Sequence, residues 1–289
     1  MDATTRIERA LTAAIDAVAI PGCPPRLVEA VRHAVFPSGA RVRPRLCLAV
    51  AAACGSQDDA TSDAVAASIE LLHCASLVHD DLPCFDDSPL RRGVPSVHRA
   101  FGEPLAVLAG DALIILAFEH LARSLAETPE RLGPLLLTVS RSVGMPYGIT
   151  AGQAWECEPQ VTVEDYHRAK TGSLFTAATA AGALVAGADA EAWRIVGDRI
   201  GEAYQVADDL RDVAASAQEV GKPVGRDAVL NRPSAAGELG IEGAIARLRG
   251  LVTGAIDAIP ACPGRAQFAE VLMAESHRIM PKNLAERAA

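Results

Sequence analysis

The sequence predicts an all-α fold, and three observations carry that prediction. The 289 residues are 50% hydrophobic but only 4% aromatic, so the apolar bulk is Ala, Leu and Val, which suits close-packed helices better than sheets. Apolar residues recur at helical rather than alternating spacing, as in "DAVAASIELLHCASLV" and "IGEAYQVADDLRDV". Pro and Gly divide this pattern into about ten segments without a long flexible linker, which predicts one helical bundle domain over residues 1–289.

Taken in order, "MDATTRIERALTAAIDAVAIPG" mixes charge into a helical pattern and lacks the basic start and apolar centre of a signal peptide. The breaks "IPGCPP" (20–25) and "FPSGARVRP" (36–44) follow. The next apolar helix is expected to stop near Asp80 and Asp81, because Pro83 cannot continue it comfortably. Residues 81–96, "DLPCFDDSPLRRGVPS", then form a loop. "LAVLAGDALIILAF" is the longest apolar run, and Asp111 is expected to break it short of the ~18 residues a membrane span needs. The Ala-rich tract "TAATAAGALVAGADA" reads as close helix packing. "GKPVGRDAVLNRPS" (221–234) and "IPACPG" (259–264) punctuate the remainder.

A formal charge of −9 and a pI near 5.3 argue against a general nucleic-acid or membrane-surface binder, because no dominant positive field exists to hold phosphate backbones. Any anionic substrate must be held by local cations. Cys23, Cys47, Cys54, Cys74, Cys84, Cys157 and Cys262 include no C-x-x-C pair, which fits a reducing compartment better than structural zinc or a disulfide framework. The expectation is a soluble, cytoplasmic protein.

Two acidic clusters carry the chemistry. In "YQVADDLRD", Gln205, Asp208 and Asp212 stand at i, i+3 and i+7 and share a helix face, with Asp209 beside them. A lone D-D-x-x-D is more often a solvated face. Here the flanking Ala203, Val206, Ala207 and Leu210 predict a mostly buried helix, where uncompensated charge is expensive. The earlier cluster places Asp80 and Asp81 at a helix end and Asp86 and Asp87 on the following turn. Hard oxygen donors without nearby cysteine suit Mg²⁺ with diphosphate co-ligands. Cations trail both clusters: Arg91 and Arg92 after the first, and Lys222, Arg226 and Arg232 after the second. "SGARVRP" adds Arg41 and Arg43, and "KTG" adds Lys170 and Thr171. Two unit charges 4 Å apart interact by ~4 kcal/mol at an effective dielectric of 20, so several such contacts stabilise a departing diphosphate substantially.

The ordered set "SGARVRP", "HCASLVHDDLPCFDDSPLRRGVPSVHRAFGE", "LAGD", "AGQAWE", "KTGSLF", "YQVADDLRD" and "GKPVGRD" resembles the trans-polyprenyl diphosphate synthases. Within them it is most similar to the bacterial geranylgeranyl diphosphate synthases of carotenoid and bacteriochlorophyll pathways. The resemblance implies the isoprenoid synthase fold around a deep central cavity, a homodimer, and Mg²⁺, on the order of two or three ions, held with the diphosphate. It implies condensation of isopentenyl diphosphate with dimethylallyl, geranyl or farnesyl diphosphate. Asp80 and Asp86 match first-motif metal ligands with Asp81 in support; Asp208 matches the second-motif ligand, and Asp209 and Asp212 complete that motif. Arg91, Lys170 and Lys222 match positions holding the allylic diphosphate, and Arg43, His73 and Arg92 those holding isopentenyl diphosphate. Thr171 and Gln205, with Lys170, match groups at the reacting centre. Cys74, Cys84, His79 and His98 read as packing or supporting residues.

Product length is read from the helix before Asp80. Ser76, Leu72 and Ile69 lie near the Asp80 face, with Ala75 adjacent. One helical pitch, ~5.4 Å, is about one isoprene unit long. Small Ala75 and Ser76 at the first turn, with medium-sized Leu72 and Ile69 deeper, predict a twenty-carbon product, with fifteen or twenty-five carbons as alternatives. The chain departs from the resemblance at Ala40, where a lysine is usual, leaving Arg41, Arg43 or Arg45 as replacements, and at Arg226, where "GRD" stands for "GKD". A non-catalytic partner subunit would be marked by eroded aspartate motifs, and both are intact. A class I terpene cyclase or head-to-head synthase would not need the isopentenyl set.

Overall fold

A computed structural model of the chain describes residues 1–37, 39–160, 166–214 and 234–279. It divides into two compact units: Met1–Leu48 with Asp58–Leu137, and Ala49–Gln57 with Thr138–Ala289. Among the described residues every regular element is helical except one two-residue hairpin.

The first unit opens with α1 (Ala3–Asp16), whose N-terminus is capped by Asp2 accepting from the Thr5 amide at 3.0 Å. α2 (Pro25–Val35) begins on proline, whose missing N–H costs nothing at that position. After α3 (Val42–Ala53) comes α4 (Asp59–Asp80), capped by Asp58 through the Thr61 amide and ending where Pro83 requires. Ile69, Leu71, Leu72, Cys74 and Ala75 are all closed to solvent, so α4 is a core helix rather than an amphipathic surface one. α5 (Val97–Phe101) leads to α6 (Glu103–Ser124), which packs along α4. The crossing is close at Gly110, where a Cβ would overlap the His79 ring.

α6 corrects one expectation. Despite Asp111 it is long and apolar enough, by length and composition alone, to cross a membrane, with a mean hydropathy of 1.9. Asp111 is exposed, and one outward charge does not offset so many aliphatic neighbours. The opposite face, from Ala106 and Ala109 through Leu113 to Leu121, is packed as in a core helix.

α7 (Pro129–Val143), which belongs to the second unit from Thr138 onward, gives way to α8 (Ile149–Ala154) and a 3-10 turn, Trp155–Cys157. A π-helical turn, Arg168–Gly172, then runs directly into α9 (Ser173–Val185). α9 is the predicted Ala-rich tract; Ala177, Ala178, Ala180, Ala181 and Ala183 are buried, and it packs on α10 (Ala190–Ala214). α10 in turn meets α11 (Ala235–Asp257), which is kinked at Gly240, φ 68°. Ala203, Val206, Ala207 and Leu210 pack there with Ala244, Ile245 and Leu248. Burying each Val, Leu or Ile contributes about 1.5–3 kcal/mol, so α10 is anchored by its apolar face while Asp208 and Asp212 keep accessible surface. α12 (Arg265–Ile279) closes the described chain.

Candidate active site

The end of α4 builds the first acidic segment. Past Asp80 the chain doubles back: the Asp86 amide donates to the Asp80 carbonyl at 3.0 Å, and the Ser88 amide to the Asp81 carbonyl at 3.2 Å. That fold-back joins Asp80, Asp81 and Asp86 in one negative cluster. Burial pushes the Asp81 carboxyl above its usual range, Arg91 pulls it down, and Asp80 and Asp86 push it up again. Arg91 grips Asp81 through Nε at 3.0 and 3.1 Å and Nη2 at 2.5 Å, and lies 3.8 Å from Asp80. Asp81 thus anchors a guanidinium beside its two neighbours. Asp87, φ 44°, is tied to Arg99 at 2.9 Å, which fixes the far end of the loop.

A hairpin unforeseen from the sequence aims the next cation. β1 (Leu90–Arg91) and β2 (Val94–Pro95) pair antiparallel, joined through Arg92, φ 53°, and Gly93, φ 79°. Two left-handed residues make a type I′ turn, and a left-handed arginine costs roughly 1–3 kcal/mol. Its guanidinium lies against Gly39, where a Cβ would come within 2.7 Å, and Nη2 donates to Glu70 at 3.4 Å. Arg92 Nη1 is buried without a hydrogen-bond partner, a costly state that an anion would relieve.

Arg43 and His73 belong to the same cluster. Arg43 Nη1 stands 3.3 Å from His73 Nε2; a guanidinium only donates, so Nε2 accepts and the ring proton sits on Nδ1. Burial, followed by the charges of Arg43, Arg92 and Arg91, holds His73 well below its ordinary range, so the ring is neutral near pH 7.

Arg41 is not part of this cluster's free charge. It is buried with its three donor arms engaged: Nε to Glu8 at 2.7 Å, Nη1 to Glu70 at 2.7 Å and Nη2 to the Val35 carbonyl at 2.6 Å. Of the three arginines weighed as replacements for the lysine absent at Ala40, Arg41 is one whose donors already hold protein acceptors. Glu70, which links Arg41 to Arg92, was missed from the sequence. Its signal was a lone carboxylate inside the apolar run "SIELLHC".

In the second unit, Thr171 Oγ1 donates to Gln205 Oε1 at 2.6 Å, Gln205 Nε2 donates to Asp209 Oδ1 at 2.8 Å, and Asp209 Oδ2 accepts from the Ala235 amide at 2.7 Å. This chain fixes the Gln205 amide: its nitrogen must face Asp209, so its oxygen faces Thr171. Asp209 is buried and both its oxygens hold protein donors, an arrangement that suits a scaffold. Asp208 is about half exposed, 3.8 Å from Arg211, and Asp212 is partly exposed. Gln205 and Asp209 line a cavity of about 480 Å³ with His167, Arg168 and Gly172. Lys170 Nζ meets Glu156 Oε1 at 2.5 Å. Lys222, Arg226 and Arg232 lie outside the described residues.

A family model described as polyprenyl synthetase matches residues 24–250. The chain belongs to that family. It is 53% identical over 98% of its length, and 98% of the relative, to a protein of Cereibacter sphaeroides named geranylgeranyl diphosphate synthase. It is 50% identical, over 97% of each chain, to one of the same name from Rhodobacter capsulatus. A solved geranyltransferase of Helicobacter pylori, complexed with magnesium and isoprenyl diphosphate, shares 30% identity and a TM-score of 0.83 over 95% of this chain and 96% of that one.

For a polyprenyl synthetase, the helix before the first aspartates invites a reading of product length. Ile69, Leu72 and Ala75 are fully packed, whereas Ser76 keeps some exposed surface and turns its hydroxyl to the His73 carbonyl at 2.8 Å. Of the four, Ser76 alone presents accessible surface. Burial of Ala75 leaves little room for a larger side chain.

Proposed function

We propose that this protein condenses isopentenyl diphosphate with allylic diphosphates head to tail and stops at the twenty-carbon product, geranylgeranyl diphosphate, feeding carotenoid-type isoprenoid synthesis. What carries the reading is near-full-length identity above 50% with a relative of that name, joined to a site whose charges suit two diphosphates. The family match runs through residues of both units.

Arg43 and Arg92, with the neutral His73 between mobile charge and protein, seat isopentenyl diphosphate; the buried, unsatisfied Nη1 of Arg92 supplies the drive. Arg91 and Lys170, with Lys222, hold the allylic diphosphate. Mg²⁺ retains water and takes phosphate oxygens as ligands, so a few carboxylates together with diphosphate suffice to hold it. Asp80, Asp86, Asp208 and Asp212 would hold it, and bound magnesium would neutralise charge developing on the leaving diphosphate. The Thr171–Gln205–Asp209 chain orients dipoles toward the allylic cation formed as diphosphate departs; isopentenyl carbons attack that cation, and the proton lost leaves with diphosphate. No protein nucleophile is required.

We propose a soluble homodimer in the cytoplasm. All seven cysteines are free, as in a reducing compartment. Val107, Leu108 and Ile115 project from α6 around the exposed Asp111, apolar surface that suits pairing with a second copy. The test is product analysis after incubation with Mg²⁺, isopentenyl diphosphate and each of dimethylallyl, geranyl and farnesyl diphosphate. Twenty carbons are expected from all three. Fifteen or twenty-five would correct the length alone, and no elongation from any primer would overturn the reaction and favour a partner subunit.

A further inference from the structure

We infer that Glu156 is a positioning residue, holding the Lys170 ammonium in advance for the allylic diphosphate. The inference rests on the role proposed above for Lys170 and adds a residue to which the sequence reading gave no role.

Glu156 sits on the 3-10 turn Trp155–Cys157 and gathers three donors. Its Oε1 accepts from the Tyr166 hydroxyl at 2.5 Å and from Lys170 Nζ at 2.5 Å, and its Oε2 accepts from Gln153 Nε2 at 3.2 Å. Lys170 Nζ also lies 5.6 Å from the centre of the Tyr166 ring, within reach of a cation–π contact. Both members of the pair are largely buried, at 19% and 18% side-chain exposure, so this is no screened surface pair.

The backbone is shaped for this contact. Lys170 lies on the π-helical turn, a local irregularity frequent at functional sites. Gly152 lets α8 reach that turn, since a Cβ there would collide with the Lys170 backbone. A lysine carries a point charge on a flexible four-carbon stem. Held by Glu156 and flanked by Tyr166, the ammonium loses little freedom when substrate arrives. Gln153 and Tyr166 keep the carboxylate aligned, so Glu156 acts through Lys170 rather than on the substrate.

The experiment is a double-mutant cycle on the full chain, reading the affinity of inorganic diphosphate with Mg²⁺ by calorimetry. Glu156→Gln is expected to weaken binding ~10-fold beside Lys170 and less than about twofold in a Lys170→Ala background, the signature of two residues acting as one unit. Glu156→Asp should recover part of the loss. Equal losses in both backgrounds, no loss at all, or no effect of Lys170→Ala by itself would overturn the inference. Should Glu156→Gln fail to fold, Tyr166→Phe serves in the same cycle, with a smaller loss that must likewise disappear without Lys170. Binding is read without turnover. A chain that shows the coupling but elongates no primer sinks the proposed function and leaves this inference standing.

Discussion

Removing Glu70 should expose how much of the first unit rests on one buried carboxylate. Glu70 and Arg41 are each 1% exposed at the side chain, with Nη1 and Oε1 2.7 Å apart. In Glu70→Ala the Arg41 guanidinium stays buried, keeping the Val35 carbonyl and Glu8, a carboxylate 39% exposed and so better screened. Breaking a buried pair by removing one partner costs about 3–5 kcal/mol, and the surviving Glu8 contact places this case near the lower end, ~3 kcal/mol. At about 2–4 °C per kcal/mol for a chain of this size, the melting temperature should fall by ~6–12 °C. Arg41→Met with Glu70→Met removes both charges and should recover most of that loss. Thermal unfolding of the three proteins is the assay. A fall under ~2 °C for Glu70→Ala, or a double variant no more stable than the single, refutes the assignment of Arg41 to the core network.

Other outcomes follow from the same geometry. Ala75→Tyr should shift the product toward farnesyl diphosphate, and Ser76→Phe should do so at less cost in stability because Ser76 retains accessible surface; unchanged length in both removes the wall reading. Gly110→Ala should cost ~1–3 kcal/mol by overpacking His79, and His79→Ala should restore that stability if the ring is the obstacle. Stability should decline as pH falls from 7.5 to 5. His73, His120 and His167 all sit below their ordinary 6.5, each chiefly through burial and then through neighbouring arginines, His167 at about 4. A base depressed by folding is neutral in the native state, so its contribution is complete above 6.5 and lost as pH drops through 6.5 toward the folded value. Melting curves across that range check the sign, and His167→Gln should flatten part of the slope.

Helical periodicity and proline placement made much of the fold legible, because both act over a few residues. Pro83 marks the end of α4 within a residue or two, and the Ala-rich tract becomes α9 against α10. The hairpin at Arg92 escaped because "RG" between two-residue strands carries almost no alternating pattern. Aspartates and basic residues marked the candidate site by type and spacing. Their partners did not: Glu70 reaches Arg41 across 29 positions and Arg92 across 22, and Glu156 reaches Lys170 across 14. Such pairings follow from packing between elements, which local spacing does not encode. Asp208 and Asp209 show the same limit, being adjacent carboxylates with one half exposed and the other buried on two donors.

The central claim, that this chain joins isopentenyl diphosphate to an allylic diphosphate and stops at twenty carbons, is tested most directly by stoichiometry. Purified protein is given Mg²⁺, farnesyl diphosphate and an excess of labelled isopentenyl diphosphate, and released diphosphate and labelled product are counted together. One diphosphate and one labelled twenty-carbon chain per farnesyl diphosphate consumed, abolished by a chelator, is the predicted result. Untouched isopentenyl diphosphate, or farnesyl diphosphate consumed without incorporated label, would contradict it.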